Sequence, residues 1–163
     1  MTGRQDNIGN RTTATHNGNT ATYTANNLNQ YSQRTVPGFF DVSGTATAGT
    51  TVTVTKPGGP TDTAARHGNY FFDPYSFSNT TGAVFATLTI FDGTAGSPLP
   101  GFVAKTPEIF GYDADGNLTS DGRWTYTYDA ANRPITAETA AAAVTAGIAR
   151  QKLTLGQKKG VTT

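Results

Sequence analysis

Several residue types that support common protein chemistries are scarce in this chain of 163 residues. It has no cysteine, which excludes disulfides, a thiolate nucleophile, and zinc or iron–sulfur sites built on cysteine. Two histidines leave little material for metal binding or acid–base catalysis. The sequence also lacks the motifs of a serine nucleophile and of a phosphate-binding loop. We therefore predict no catalytic residue, no metal site and no cofactor, and we do not expect an enzyme.

Charge and long apolar runs are scarce as well. Charged residues make up 14% of the chain and the net charge is +1, so no nucleic-acid partner is predicted. The longest apolar stretch, residues 83–91, is interrupted by threonines and is too short to span a bilayer. The residues that follow Met1 are polar from the outset, so no signal peptide is predicted.

The abundant residue types indicate β-structure. The chain has 19 glycines, and about one residue in five is threonine, which is enriched in strands. A helical bundle would need more leucine, glutamate and lysine. The composition therefore favours short strands that are joined by turns.

Similar short units occur near both ends of the chain. Residues 112–118 read YDADGNL and residues 128–133 read YDAANR, while residues 6–11 (DNIGNR) fit the same frame without its leading tyrosine. Residues 20–24 and 124–128 alternate threonine with other residues, a pattern typical of a strand with one packed face. Asparagine and glycine supply the positive φ angles that tight turns require. Each unit is therefore predicted to be a turn with an adjoining strand.

Residues 36–107 have a different character. Threonine and valine alternate strictly over residues 51–55, and a second alternating stretch covers residues 84–90. Turn signals separate these stretches about every ten residues, which favours a small β-sandwich. Beyond this region, the alanine-rich residues 138–149 are compatible with either a short helix or irregular chain.

The units at the two ends resemble the tandem YD (tyrosine–aspartate) repeats of RHS (rearrangement hot spot) proteins. Residues 36–107 are similar to the bacterial immunoglobulin-like inserts of such proteins, through residues 41–45 (DVSGT) and 68–72 (GNYFF). The resemblance implies a wide antiparallel sheet that spirals into a hollow shell. In relatives such shells enclose a C-terminal toxin or decorate a cell surface, and carbohydrate binding has been attributed to the repeat.

The predicted fold is all-β, with antiparallel β-hairpin repeats of the RHS/YD type and a small immunoglobulin-like β-sandwich insert. An N-terminal YD-like repeat is expected over residues 1–35 and the insert over residues 36–107. YD repeats are expected over residues 108–139, followed by an alanine-rich segment and polar tail over residues 140–163. Three interrupted copies are too few to close a shell, which suggests a fragment of a longer chain.

The aromatic residues of the C-terminal repeats are the candidate ligand-binding residues. A pyranose ring can stack on an aromatic face while aspartates bind its hydroxyl groups. The candidate residues for carbohydrate are Tyr112, Asp113, Trp124, Tyr126, Tyr128 and Asp129. The alternative, which we favour from the sequence, is that the alternating aromatic residues pack across neighbouring strands.

Residues 113–117 (DADGN) allow two interpretations. Three oxygen-bearing side chains lie close together, as hard cations require, but the spacing does not match an EF-hand loop. The favoured alternative is a turn in which aspartate and asparagine bond to their own backbone. Carboxylate pairs such as Asp113 with Asp115, or Asp121 with Asp129, suggest a glycosidase only remotely, because sequence spacing does not give their separation in space.

These observations predict a non-catalytic structural repeat module of a cell-surface or toxin-encapsulating RHS/YD-repeat protein. The alternative is a carbohydrate-binding or adhesion module that uses exposed aromatic residues and aspartates. The expected partners are neighbouring YD repeats of a longer chain, with carbohydrate and an encapsulated C-terminal toxin domain as further candidates. The expected location is the cell surface or the exterior, as part of a larger bacterial protein.

Overall fold

The computed structural model describes residues 1–155, and nearly all of their regular structure is β-strand. The first four strands pair antiparallel in the order in which they follow one another. They are β1 (Thr2–Gln5), β2 (Arg11–His16), β3 (Asn19–Ala25) and β4 (Tyr31–Arg34). In β3 the three threonines are exposed and the residues between them are half-buried, as the alternating pattern predicts. The predicted all-β fold is confirmed.

The middle of the chain forms two further antiparallel sheets. Its strands are β5 (Phe39–Thr45), β6 (Thr53–Thr55), β7 (Thr61–Thr63), β8 (Ala65–His67), β9 (Tyr70–Ser76), β10 (Val84–Phe91) and β11 (Gly96–Val103). One sheet has the order β11-β10-β6-β7 and the other has the order β5-β9-β8. Both sheets contribute side chains to a single core, so the middle region is a β-sandwich.

The core of the sandwich consists of the inward-facing residues of its strands. Leu88 and Val54 from one sheet and Val42 from the other are 0% exposed. The remaining buried members are Val52, Ala64, Phe71 and Tyr75. The Tyr75 hydroxyl, which is also buried, donates a hydrogen bond to the carbonyl of Pro60 (2.9 Å). Burial of these apolar side chains is the main stabilisation of this region.

The strand order does not confirm the immunoglobulin-like part of the prediction. In the constant-type immunoglobulin fold, the second strand in the chain lies in the same sheet as the first and fifth. Here the second strand, β6, pairs with the sixth, β10, and lies in the sheet opposite β5 and β9. The threonine–valine alternation predicts one buried face per strand but does not say which strands pair.

The C-terminal region contributes a third group of strands. They are β12 (Glu108–Ile109), β13 (Gly111–Tyr112), β14 (Leu118–Ser120), β15 (Trp124–Tyr128), β16 (Pro134–Thr139) and β17 (Lys152–Thr154). Strands β13 to β17 pair antiparallel in chain order, whereas β12 pairs with β4. The chain therefore returns from the sandwich to the strand from which it left.

Residues 108–112 join the two repeat regions into one run of paired strands. On one side, the Phe110 amide extends the pairing of β12 with β4 by donating to the carbonyl of Ser32 (3.0 Å). On the other side, β13 pairs with β14. Antiparallel pairing thus continues from β1 through β4 and residues 108–112 to β17. The sandwich is inserted in the chain but does not interrupt this repeat sheet.

The alanine-rich segment is only partly helical. Glu138 and Thr139 belong to β16, and the helix α1 covers Ala141–Thr145. It ends before Gly147, whose φ of +111° is a conformation that favours glycine. Within residues 1–155 no helix is both long and apolar enough to cross a membrane. The predicted polar tail, beyond Leu155, lies outside the described residues.

Candidate functional site

Four turns of the repeat sheet share one hydrogen-bond pattern. In residues 113–117, Asp113 Oδ1 accepts hydrogen bonds from the backbone amides of Asp115 (3.1 Å) and Asn117 (2.8 Å). In residues 129–133, Asp129 Oδ1 accepts from the corresponding amides, two and four residues further on. The same bonds form in residues 6–10 and 26–30, where Asp6 and Asn26 are the acceptors. The sequence therefore encodes four copies of one Asx-type turn.

The fourth residue of each turn explains the asparagine and glycine of the motif. This position has a positive φ in all four copies, which only glycine and asparagine adopt at small cost. The residues are Gly9 (+92°), Asn29 (+62°), Gly116 (+88°) and Asn132 (+59°). A carboxylate that accepts several N–H groups is stabilised in its charged form, and hydrogen bonds from Asn117 and Arg133 accordingly lower the pKa of Asp113 and Asp129.

The four turns lie side by side along one end of the repeat sheet. Asn10 Nδ2 donates to Asn29 Oδ1 (3.4 Å), which links the first turn to the second. Asn117 Nδ2 donates to Asn132 Oδ1 (2.9 Å), which links the third to the fourth. The second and third turns, which the insert separates in the chain, are linked by Gln30 Nε2 and the Gly116 carbonyl (3.4 Å). We call residues 6–10, 26–30, 113–117 and 129–133 the turn row.

The tyrosine that precedes a turn bonds to the strand that follows the previous turn. The Tyr128 hydroxyl donates to the carbonyl of Leu118 (2.9 Å). The Tyr112 hydroxyl donates in the same way to the carbonyl of Tyr31 (3.0 Å). Both acceptors are the first residue after their turn, so the two bonds are equivalent. Each tyrosine of the YD motif therefore connects its own repeat to the one before it.

The N-terminal copy lacks this tyrosine and uses a different link. Ala25 precedes the second turn, where the motif has tyrosine. Here the Tyr31 hydroxyl, from the next strand, accepts a hydrogen bond from the Arg11 amide (2.8 Å). The Tyr31 ring also packs on Tyr23, with ring centroids 5.3 Å apart. The strands that follow the first and second turns are thus connected despite the sequence departure.

Strand β15 carries the aromatic residues that were predicted to contact a ligand. Trp124, Tyr126 and Tyr128 are half-buried, while the threonines between them are exposed. The Tyr126 hydroxyl donates to Asp121 Oδ2 (2.9 Å), and burial together with this bond raises its pKa to about 12. The alternating exposure is the pattern of strand packing that the sequence favoured.

The six candidate residues do not converge on one point. Tyr112, Asp113, Tyr128 and Asp129 belong to the turn row and its tyrosine links, with their polar groups bonded within the chain. Trp124 lies at the other end of β15, roughly 13 Å from Tyr128 at the usual rise per residue. Within residues 1–155, no three histidine or acidic side chains are grouped to hold a metal ion. Carbohydrate binding by these six residues stays a prediction.

The C-terminal half of the turn row lies within a known repeat. Residues 112–145 match the family model described as RHS Repeat. The chain carries an RHS repeat. No curated protein and no solved structure matches the chain. The matched RHS repeat includes the third and fourth turns, and the first two turns have the same geometry outside the matched residues.

A cleft lies where the RHS repeat meets the insert, at the end of the sheet opposite the turn row. It has a volume of about 320 Å³. Its lining residues are Arg34, Val36, Phe39, Phe102, Val103, Ala104, Glu108, Asp121, Arg123 and Trp124. Of the predicted ligand-binding residues, only Trp124 lines this junction cleft. Asp121 appeared in the sequence analysis only as part of a carboxylate pair with Asp129, and the remaining lining residues were not predicted because no motif or spacing relates them.

A charge pair forms one wall of the junction cleft. Glu108 is 6% exposed, and its carboxylate is paired with the Arg34 guanidinium. Its Oε1 also accepts a hydrogen bond from the Gly122 amide (3.2 Å). Glu108 therefore connects β12, β4 and the loop between β14 and β15. These three elements are brought together where the chain re-enters the repeat sheet.

Proposed function

We propose that this chain is a non-catalytic section of the structural sheet of a larger RHS-repeat protein, one that stands on a cell surface or encloses a toxin domain. The observation that carries the proposal is the recurrence of the Asx turn in the same register on both sides of the insert. A structural array requires each repeat to dock on the previous one, and the tyrosine hydroxyls supply such a connection.

The outer edges of the repeat sheet support the same proposal. Within residues 1–155, β1 pairs only with β2, and β17 pairs only with β16. All residues of both strands are exposed. Unpaired edge strands expose backbone N–H and C=O groups that another strand can satisfy. We infer that neighbouring repeats of a longer chain pair with these edges, and that a C-terminal toxin domain is a candidate for the enclosed partner.

The test is to remove the tyrosine hydroxyls without removing the rings. We expect Tyr112→Phe and Tyr128→Phe each to lower the free energy of unfolding by about 0.5–1.5 kcal/mol, the net value of one hydrogen bond. Urea denaturation of the full chain measures this. Tyr70→Phe is the control, because Tyr70 is 67% exposed and lies in the insert. If all three variants unfold like the parent chain, the tyrosine links do not stabilise the array.

The carbohydrate-binding alternative predicts a different outcome from the same variants. A sugar site at Trp124, Tyr126 and Tyr128 would change the tryptophan emission when polysaccharides are added. Tyr128→Phe would then weaken that response while leaving the urea midpoint unchanged. A loss of stability without any sugar response supports the structural role, whereas a saturable sugar response with unchanged stability supports the adhesion role.

A further inference from the structure

The junction cleft has the size and walls of a small-molecule site. Its 320 Å³ is near the lower end of the range for such pockets. Val36 and Phe39 form an apolar wall from the start of the insert, and Phe102 and Trp124 contribute two aromatic rings from elsewhere. A ligand at the small end of that range, such as a single substituted ring, is therefore of the size that the cleft accommodates.

The two acidic residues of the cleft, Glu108 and Asp121, already accept hydrogen bonds from groups of the protein. One Glu108 oxygen faces the Arg34 guanidinium and the other accepts the Gly122 amide. Asp121 Oδ1 accepts the amides of Arg123 (2.7 Å) and Trp124 (2.6 Å), while its Oδ2 accepts the Tyr126 hydroxyl. Neither carboxylate is therefore available to bind a cation. The charge that the cleft offers to a ligand must come from another residue.

Arg123 is that residue. Its guanidinium carbon lies 5.6 Å from the Phe102 ring centroid and 5.7 Å from the Trp124 ring centroid. Within residues 1–155 it forms no salt bridge, and it is exposed. Cation–π contacts attract the guanidinium to the ring faces, and the N–H groups of a guanidinium without a salt bridge can still donate to a ligand. The Arg123 guanidinium is therefore a forked donor without a salt-bridge partner among residues 1–155, in a cleft that has both polar and apolar walls.

We propose that the junction cleft binds a carboxylate carried on a compact ring. Arg123 would bind the carboxylate through its N–H fork, while the ring would lie against Val36, Phe39 and the exposed part of Trp124. A sugar acid and an aromatic acid both have this chemistry. The site is formed by the RHS repeat and the insert together, so it does not depend on the proposed array, and of the six residues predicted from the sequence it uses only Trp124.

Trp124 is the chain's only tryptophan, so its emission reports on the cleft directly. The full chain is titrated with glucuronate, phenylacetate and glucose. We expect a saturable change with at least one acid, in the millimolar range of a small, half-open site, and none with glucose. A response to glucuronate alone would identify a sugar acid, and a response to phenylacetate alone an aromatic acid. Equal responses to glucose and the acids would overturn the proposal, as would no response to either acid.

Two variants test the role of the guanidinium. Arg123→Gln should weaken binding of the acid at least tenfold, since it removes the charge and the fork. Arg4→Gln is the matched control, because Arg4 is exposed on β1, away from the cleft. Far-ultraviolet circular dichroism checks that both variants are folded. Unchanged binding by a folded Arg123→Gln would overturn the proposal, and the comparison of acids with glucose tests it independently of any variant.

Discussion

Glu108 offers the sharpest test of how the insert is built into the repeat sheet. Its carboxylate has two donors, the Arg34 guanidinium and the Gly122 amide, and the side chain is 6% exposed. Glu108→Gln keeps the shape but provides one acceptor oxygen where two are needed. Either Arg34 or Gly122 would then face the amide nitrogen, which is itself a donor. The substitution therefore leaves a poorly satisfied donor in a buried place.

The size of the effect depends on how well Arg34 can be resolvated. Removing one partner from a fully buried ion pair costs about 3–5 kcal/mol. The Arg34 side chain is 38% exposed, so water can compensate part of its charge. We expect Glu108→Gln to lower the free energy of unfolding by about 2–3 kcal/mol, with a fall in Tm of roughly 4–12 °C for a chain of this length.

The matched control is Glu138→Gln in β16. Glu138 pairs with Lys152, but the two side chains are 45% and 60% exposed. Surface pairs of this kind contribute about 0–1 kcal/mol. Urea denaturation and calorimetry of both variants give the comparison directly. If Glu108→Gln costs no more than Glu138→Gln, the argument that burial makes the Glu108 pair important is wrong.

Two further predictions concern the sandwich core. Leu88→Ala should lower the free energy of unfolding by about 2–5 kcal/mol, measured by urea denaturation, because Leu88 is 0% exposed. A decrease below about 1 kcal/mol would mean that the core collapses around the site. Asp73 is 8% exposed, and its Oδ2 has no hydrogen-bond partner among residues 1–155. Burial, assisted by the charge of Asp62, raises its pKa. The folded state therefore binds this proton more tightly than the unfolded state, so Asp73 destabilises the fold increasingly as pH rises through its raised pKa. Asp73→Asn should raise Tm at pH 7, and the gain should vanish below about pH 4, the unfolded-state pKa; a gain that is independent of pH would refute the assignment.

The turns of the repeat were predictable because their interactions are local. The bonds from Asp113 and Asp129 reach only four residues along the chain. The positive φ at the fourth position favours glycine or asparagine there, so the turn can be recognised from the residue types in the sequence. The same reasoning identified the segment at residues 6–11 without its tyrosine. The structure of such a turn can therefore be inferred from its five residues alone.

For the insert, the sequence predicted the strands and a small β-sandwich, but not which strands pair. The alternation over residues 51–55 and 84–90 predicted strands, and in the structure Val52, Val54 and Leu88 are buried. Which strands pair is a matter of contacts between distant residues, and the alternating pattern is compatible with several orders. The alanine-rich segment was ambiguous for a related reason, since its helix α1 is only five residues long and is determined by its surroundings as much as by propensity.

By itself, the sequence determined the Asx turns, the alternating strands, the all-β class and the RHS repeat. Tertiary structure decided that the repeat sheet continues across the insert, since this depends on Arg34 and Glu108 meeting across 74 positions of the chain. It also decided that the YD tyrosines connect neighbouring repeats, and that Arg123, Phe102 and Trp124 share a cleft. The physical reason is the same in each case. Local hydrogen bonds leave a fixed spacing in the sequence, whereas contacts between strands that are distant in the chain leave none.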